Sequence, residues 1–411
     1  MRALILLNVA AIAGLSSLPR ALAWGAAGHE IVATIAQSHL DPQVLDTVCS
    51  ILASDATSGV RGDAPCYLST VASWADKIRF RARWSAPLHY VGAVGDHPPD
   101  NCLFPGTDGW DGKPRGNVLD AIQNVTSILA DFAASASTST RGTFADERAS
   151  EALKFLIHFV GDMHQPLHLT GRDRGANGVK VSFDGRNTNL HSVWDTSLIA
   201  KYLRTIPRNY TRPLPVPALE SSFRGAIYDP YIRRIVWEGL GVGHGTGRWE
   251  SEADSWLACP ASSSDSGPQL VLAAPRRPPP RGSDGPPETS DSGTLCPYAW
   301  GAPIHQLNCD VVWSAGLDLS AREDDEAHFP NRGHTHGHHC GSGSAEDEVR
   351  AWEEVAGRGR GKGDYPELDT PEYAGRIESE WIIEKLLAQG GVRLAGILNA
   401  LFSSHLELRD E

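Results

Sequence analysis

The sequence predicts a mainly α protein, a single helical domain with a small β-hairpin and two insertions. Three observations predict it. Apolar residues recur at helical spacing in segments beginning near Gly28, Pro42, Leu68, Asn117, Asp146, Ser192, Tyr231, Ala299 and Thr370. Strand signals are few, and the best of them, Val179-Lys-Val-Ser-Phe183 before Asp184-Gly185, reads as one arm of a hairpin. Two His-x-x-x-Asp pairs, His158/Asp162 and His191/Asp195, flank that hairpin, and on a helix each pair projects from one face, one turn apart.

Taken from its start, the chain opens with Arg2, an apolar run from Ala3 to Leu15 and a small-residue stretch ending Ala21-Leu22-Ala23, which reads as a cleaved secretory signal over residues 1–23. The run is too short to span a bilayer, and no other stretch is expected to approach the needed length, so no membrane anchor is expected. Cleavage would make Trp24 the new terminus, and loss of Arg2 and Arg20 would take the formal charge from −13 to −15. Such a balance excludes a broad polyanion-binding surface, so attraction to a phosphate must be local and come from bound cations. A long stretch rich in Pro, Gly and Asp, residues 92–116, is expected to be a surface loop held by packing and by Cys102.

Seven cysteines in a secreted chain imply disulfides with one thiol left over. By position, Cys259 with Cys296 would tie off the base of an insertion, Cys49 with Cys66 and Cys102 with Cys309 are further pairs, and Cys340 is the odd one; position alone does not prove the connectivity. Asn124-Val-Thr126 and Asn209-Tyr-Thr211 have the form of N-glycosylation acceptors. The domain, residues 24–411, is expected to be monomeric and to carry low-complexity insertions at about 260–295 and 318–366, the second with a histidine run at 334–339. That run is glycine-rich and lacks a stiff scaffold, so enclosing a metal there would cost much entropy. Apolar periodicity returns in Ile377–Phe402, expected as one long core helix.

Chemistry concentrates between His158 and Asp195. Pro166 removes a helical N–H and crowds the carbonyl of Asp162, so the helix should end or kink there and swing His168 toward the same point. Imidazole and carboxylate without thiolate favour zinc over an iron–sulfur centre, and over calcium or magnesium, which want all-oxygen shells. Upstream candidates are the Trp24 terminus, His29, Asp76 and His89. Asp76 alone could cap or pair with Arg79, and His89 alone could be a core histidine.

Together, WGAAGHE, SWADKIR, LHY, HFVGDMHQPLH, NLHSVWD and the late QGGVRLAGILN resemble the zinc-dependent single-strand-specific nuclease family, secreted nucleases and 3′-nucleotidases that share a tri-zinc helical site with bacterial zinc phospholipase C. The resemblance implies three zinc ions. One would be held by Asp76, His89, His158 and Asp162, a second by His168, His191 and Asp195, and a third by His29, Asp162 and the α-amino group and carbonyl of Trp24. Three dications against three carboxylates leave a positive pocket in an acidic protein.

It also implies hydrolysis of single-stranded RNA and DNA by in-line attack of an activated water at phosphorus, with P–O3′ cleavage and 5′-phosphate products. Asp76 would orient the nucleophile and Arg79 would neutralise charge on the phosphoryl oxygens. Tyr90 occupies the place of an aromatic that stacks on a base, and Asn177 that of a polar residue contacting the nucleotide. In one departure, the family's base-contacting carboxylate three residues after His89 is Gly92 here, with Asp96 in the following loop as the expected substitute. Two rival readings are a zinc phospholipase C, which would need an apolar approach and a membrane-seeking surface, and a secreted glycoprotein that keeps the fold without catalysis, which would be marked by a missing ligand.

Overall fold

A computed structural model describes residues 24–54, 65–113, 115–135, 143–260, 291, 295–313, 317 and 365–403. Residues 1–23, the histidine run, Cys340 and almost all of both insertions lie outside them. Helix α1 (Ala26–Ser38) is buried from Ala26 to Gln37, apolar or small at every position but His29, Glu30 and Gln37. Proline at the first turn starts α2 (Pro42–Ala53), where its missing N–H is harmless. The helix expected from Leu68 appears instead as a 3₁₀ turn, Leu68–Thr70, followed by the short α3 (Trp74–Ile78). Asn117 caps α4 (Val118–Ser135), its Oδ1 accepting from the N–H groups of Leu119 and Asp120 at 2.9 and 3.0 Å.

Helix α5 (Thr143–Met163) packs on α4, and α1 packs on both α5 and the C-terminal helix Ile382–Ser403. The core lies where these helices meet. Strands β1 (Lys180–Phe183) and β2 (Arg186–Asn189) pair antiparallel, Lys180 opposite Asn189 and Phe183 opposite Arg186. Asp184 and Gly185, with φ of 51° and 70°, supply the two left-handed residues of the tight turn, as the sequence predicts. The chain returns to cover β1: Ser182 N–H donates to Pro366 O and Leu368 N–H to Ser182 O, both at 2.8 Å.

All three expected disulfides are present, Cys49–Cys66, Cys102–Cys309 and Cys259–Cys296. The expected single helix Ile377–Phe402 is broken. It runs as Ala374–Ser379 and Ile382–Ser403, because Trp381 (φ 58°) leaves the helix to pack edge-on against Trp249 at 5.9 Å with the Arg234 guanidinium 4.2 Å from its ring. The membrane expectation also needs correcting, since Ile382–Ser403 is long and apolar enough to cross a bilayer by length and composition. It is largely buried in the fold and carries the buried charged residues Glu384 and Arg393, as a core helix does.

Glu384 makes a testable point about stability. Its side chain is fully buried, neither carboxylate oxygen has a hydrogen-bond partner, and Arg234 Nη1 comes no closer than 4.0 Å. Burial pushes its pKa from 4.5 up to about 7, with Arg234 opposing. The folded state therefore holds this proton more tightly than the unfolded state. The stabilisation is fully present below pH 4.5 and is lost as pH rises through 7, a difference of roughly 3 kcal/mol. In thermal melts from pH 4.5 to 8, Glu384→Gln is expected to flatten the fall in Tm expected of the wild type; equal slopes in the two proteins would remove Glu384 as its source.

Candidate metal centre

The centre is assembled on α5. His158 and Asp162 stand one turn apart on its inner face, the helix ends at Met163, and Pro166–Leu169 continues as a 3₁₀ turn that brings His168 back. His168 Nδ1 lies 3.7 Å from Asp162 Oδ1, as the position of Pro166 predicts. Asp162 divides its carboxylate between two neighbours. Oδ1 faces His29 Nε2 of α1 at 3.4 Å, whereas Oδ2 lies 3.0 Å from His89 Nδ1 and 3.4 Å from His158 Nε2. Asp76 of α3 approaches the same rings, with Oδ2 3.7 Å from His158 Nε2 and Oδ1 3.9 Å from His89 Nδ1.

His191 and Asp195 meet at 3.1 Å, although the segment is not the plain α-helix expected. Residues Val193–Ser197 form a π-type turn after Leu190–Ser192, and such bulges often mark functional sites. Trp24 is buried beside this pair, with the N–H of Gly25 donating to Asp195 O at 2.9 Å. Ligand atoms fall into compact groups: Asp76, His89 and His158; His168, His191 and Asp195; and His29, His158 and Asp162. Every sequence-predicted ligand except Trp24 thus has a ligand atom in one of these buried groups. A further group, Asp96, Cys102 and His305, lacks a free thiolate because Cys102 is disulfide-bonded.

The fit to metal ions can be tested on the atoms themselves. His158, His168 and His191 each point Nδ1 at a backbone carbonyl, of Ala72, His89 and Gly175, at 2.7, 2.6 and 2.5 Å. Nδ1–H donation leaves an Nε2 lone pair facing inward, as metal-binding imidazoles require. Asp76 Oδ1, His89 Nε2, Asp162 Oδ1, His168 Nε2 and Asp195 Oδ2 are buried without a hydrogen-bond partner. Burial, then the neighbouring histidines, holds His89 and His168 well below the usual range, and burial lowers His158 against the pull of Asp162. At His191 burial is outweighed by Asp195, and the pKa rises. Burial pushes the Asp162 and Asp195 carboxyls up. Imidazoles that resist protonation at His89, His158 and His168, beside costly buried carboxylates, together call for cations.

Other residues support this frame. Gly161, beside Asp162, has no room for a side chain, because a Cβ there would stand 2.5 Å from His29 Nδ1. Gln165 donates from Nε2 to Asp195 Oδ1 and accepts from Leu167 N–H on Oε1, both at 2.6 Å, so it fixes Asp195 and caps the 3₁₀ turn. Sequence reasoning missed this role, and its place directly before Pro166 was the available signal. His164 lies off the inner face, as expected, yet it is no bystander: Val160 O takes one ring nitrogen at 2.7 Å, and the buried Arg393 guanidinium reaches the other at 2.8 Å.

At the mouth, Tyr90 is 52% exposed, and Arg79 holds Nη1 3.7 Å from Asp76 Oδ1. Asn177 donates to Arg174 O at 2.9 Å, so its amide is used within the fold. Gly92 meets the backbone of Gly171 so closely that a Cβ would stand 2.8 Å from Gly171 N and Cα, which excludes the family's carboxylate-bearing side chain there without a backbone shift. Asp96 is not the substitute. It is buried, accepting from Leu103 N–H and Thr170 Oγ1 at 3.0 and 2.6 Å and meeting His305 Nε2 at 3.0 Å, which ties the loop to the Pro297–Leu307 helix. The carboxylate that does stand by Gly92 is Asp111, with Oδ2 3.7 Å from the Cβ position.

A mainly helical fold around buried groups of histidines and aspartates defines a class, the helical proteins with metal-binding side chains gathered between their helices. Within that class the chain belongs to the S1/P1 nuclease family, whose model matches residues 24–227. It is 38% identical to Nuclease P1 of Penicillium citrinum over 182 residues, 44% of this chain and 60% of that protein. It is 30% identical to Endonuclease 1 of Arabidopsis thaliana over 266 residues, 63% of this chain and 72% of the relative. Endonuclease 4 of the same plant matches at 27% identity over 390 residues, 93% of this chain and 91% of that protein. The match to Nuclease P1 thus spans about three fifths of that relative.

Proposed function

We propose that this protein is a secreted zinc-dependent endonuclease that hydrolyses single-stranded RNA and DNA, and 3′-nucleotides, to 5′-phosphate or nucleoside products. The observation that carries the proposal is the divided carboxylate of Asp162, one oxygen toward His29 and the other toward His89 and His158, so that Asp162 would serve both ligand groups. Asp76, His89, His158 and Asp162 would hold one zinc, His168, His191 and Asp195 a second, and His29, Asp162 and the Trp24 terminus a third. Zinc bound there supplies Lewis acidity toward phosphoryl oxygens and a water acidic enough to attack at neutral pH.

The chain's own groups do the rest. Asp76 Oδ1, buried and without a hydrogen-bond partner, orients the attacking water, and Arg79 next to it meets the charge that grows on the phosphoryl oxygens. In-line attack forms the new P–O bond as P–O3′ breaks, leaving a 5′-phosphate and a 3′-hydroxyl. Tyr90 offers an exposed ring to a splayed base, which favours single strands. Secretion is supported by the start of the family match at Trp24, the residue that signal cleavage would expose. Asn124, on the outer face of α4, and Asn209 are both exposed, as glycan acceptors must be.

The test is a side-by-side assay on single-stranded DNA, duplex DNA, 3′-AMP and phosphatidylcholine, with zinc per mole from elemental analysis. Preferential cleavage of single strands with close to three zincs is expected; phosphatidylcholine turnover alone, or a metal-loaded protein with no turnover, would overturn the reading. Gly161→Ala is expected to push His29 away from Asp162, so elemental analysis should find about one zinc fewer by loss of that ligand. Full zinc content in this variant would remove His29 from the set.

A further inference from the structure

We infer that the segment from Phe80 to Trp84 is a second strand-binding platform, which takes single-stranded nucleic acid running beyond the nucleotide held at the metal centre; this rests on the nuclease reading above. Trp84, Tyr90 and Phe80 are 61, 52 and 43% exposed, the exposed large aromatic side chains among the described residues, and all fall between the metal-site residues Asp76 and His89 or directly after them. Exposed aromatic rings offer flat faces on which bases of a single strand can stack. Arg81 and Arg83 are exposed between them and have no ion pair among the described residues. In a chain of charge −13, two unpaired guanidiniums interleaved with two aromatic rings make a local site for a polyanion with flat bases.

The platform is held firmly relative to the chemistry. Trp84 sits on the same 3₁₀ segment, Arg83–His89, as the ligand His89. Its ring packs edge-on to Phe155 of α5 at 5.7 Å, Phe155 stacks on Phe159 at 5.0 Å, and Phe159 meets the His89 ring at 5.2 Å. Three ring-to-ring steps therefore connect the outer tryptophan to the metal centre, a span that a few nucleotides cover at about 3.4 Å of rise each. Arg81 lies over the Phe80 ring at 5.4 Å, which holds a guanidinium on the aromatic surface. A base stacked on Trp84 leaves its phosphates within reach of Arg81 and Arg83, and the sequence of that base does not matter.

The experiment compares a thymidine dinucleotide, which fills only the cleavage site, with a ten-nucleotide oligo(dT). Trp84→Ala is expected to raise KM for the decamer about tenfold, the loss of one stacked base, while kcat/KM for the dinucleotide stays within about twofold. The double variant Arg81→Ala/Arg83→Ala, at two exposed positions, is expected to reduce the slope of log KM against log salt for the decamer by about 1.4, or 0.7 per lost phosphate contact to a single strand. Equal losses on both substrates, or an unchanged salt slope, would overturn the platform, and so would variants that lose binding to anionic phosphatidylglycerol vesicles but not to the decamer. Failure of the wild type on both oligonucleotides would instead overturn the nuclease reading.

Discussion

Asp162→Asn is expected to lower kcat/KM by about 10³-fold or more, since losing even one preorganised electrostatic group costs about 10²–10³-fold. It should also reduce bound zinc at two positions together. The amide keeps the shape but has one neutral oxygen, while the native oxygens face His29 on one side and His89 with His158 on the other. His164→Ala, two residues along, is the control. It leaves every proposed ligand in place and strips the buried Arg393 guanidinium of one partner, with Trp256 O remaining at 3.0 Å. A lost hydrogen bond to a charged group costs about 2–3 kcal/mol, so Tm should drop while activity at low temperature changes little. Equal activity losses in the two variants at matched zinc content would show that the two faces of α5 are wrongly assigned.

Material carrying any residue before Trp24 is expected to bind about one zinc fewer and to cleave about 10²-fold more slowly, by loss of one electrostatic element of the site. An α-amine, with an ordinary pKa of about 7.7–8.0, gives up its proton to a metal and offers a lone pair. An amide nitrogen at the same place offers almost none. Trp24 is fully buried, and the N–H of the next residue is already fixed to Asp195 O, so the terminus has little freedom to shift in compensation. Trimming a tagged form to Trp24 with a site-specific protease should restore metal and rate together. Should an extended form, its terminus verified by mass spectrometry, equal the trimmed form in both, the amine is not a ligand and the third zinc loses its assignment.

How much of this was legible beforehand depends on the range of the interaction concerned. His158 with Asp162, the turn at Pro166 and the Asp184-Gly185 hairpin follow from helical period, ring chemistry and left-handed preference, which act within a few residues, and each appears as the sequence predicts. The same local logic misjudged Ile377–Phe402, because Trp381 gains more by packing between Arg234 and Trp249 than by continuing the helix. It also misjudged Asp96, whose partners His305 and Thr170 are far away in the chain.

By itself the sequence determined the class of fold, the ligand types and their pairing one turn apart, because those depend on side-chain chemistry and backbone period. Only the tertiary structure decided how Asp162 shares its oxygens, which carbonyls orient His158, His168 and His191, that Gly171 leaves no room at position 92, and that Arg393 depends on His164. The physical reason is that a hydrogen bond or a steric limit acts over a few ångströms of space, and folding brings to that distance residues far apart in the chain, such as His164 and Arg393, which are 229 positions apart.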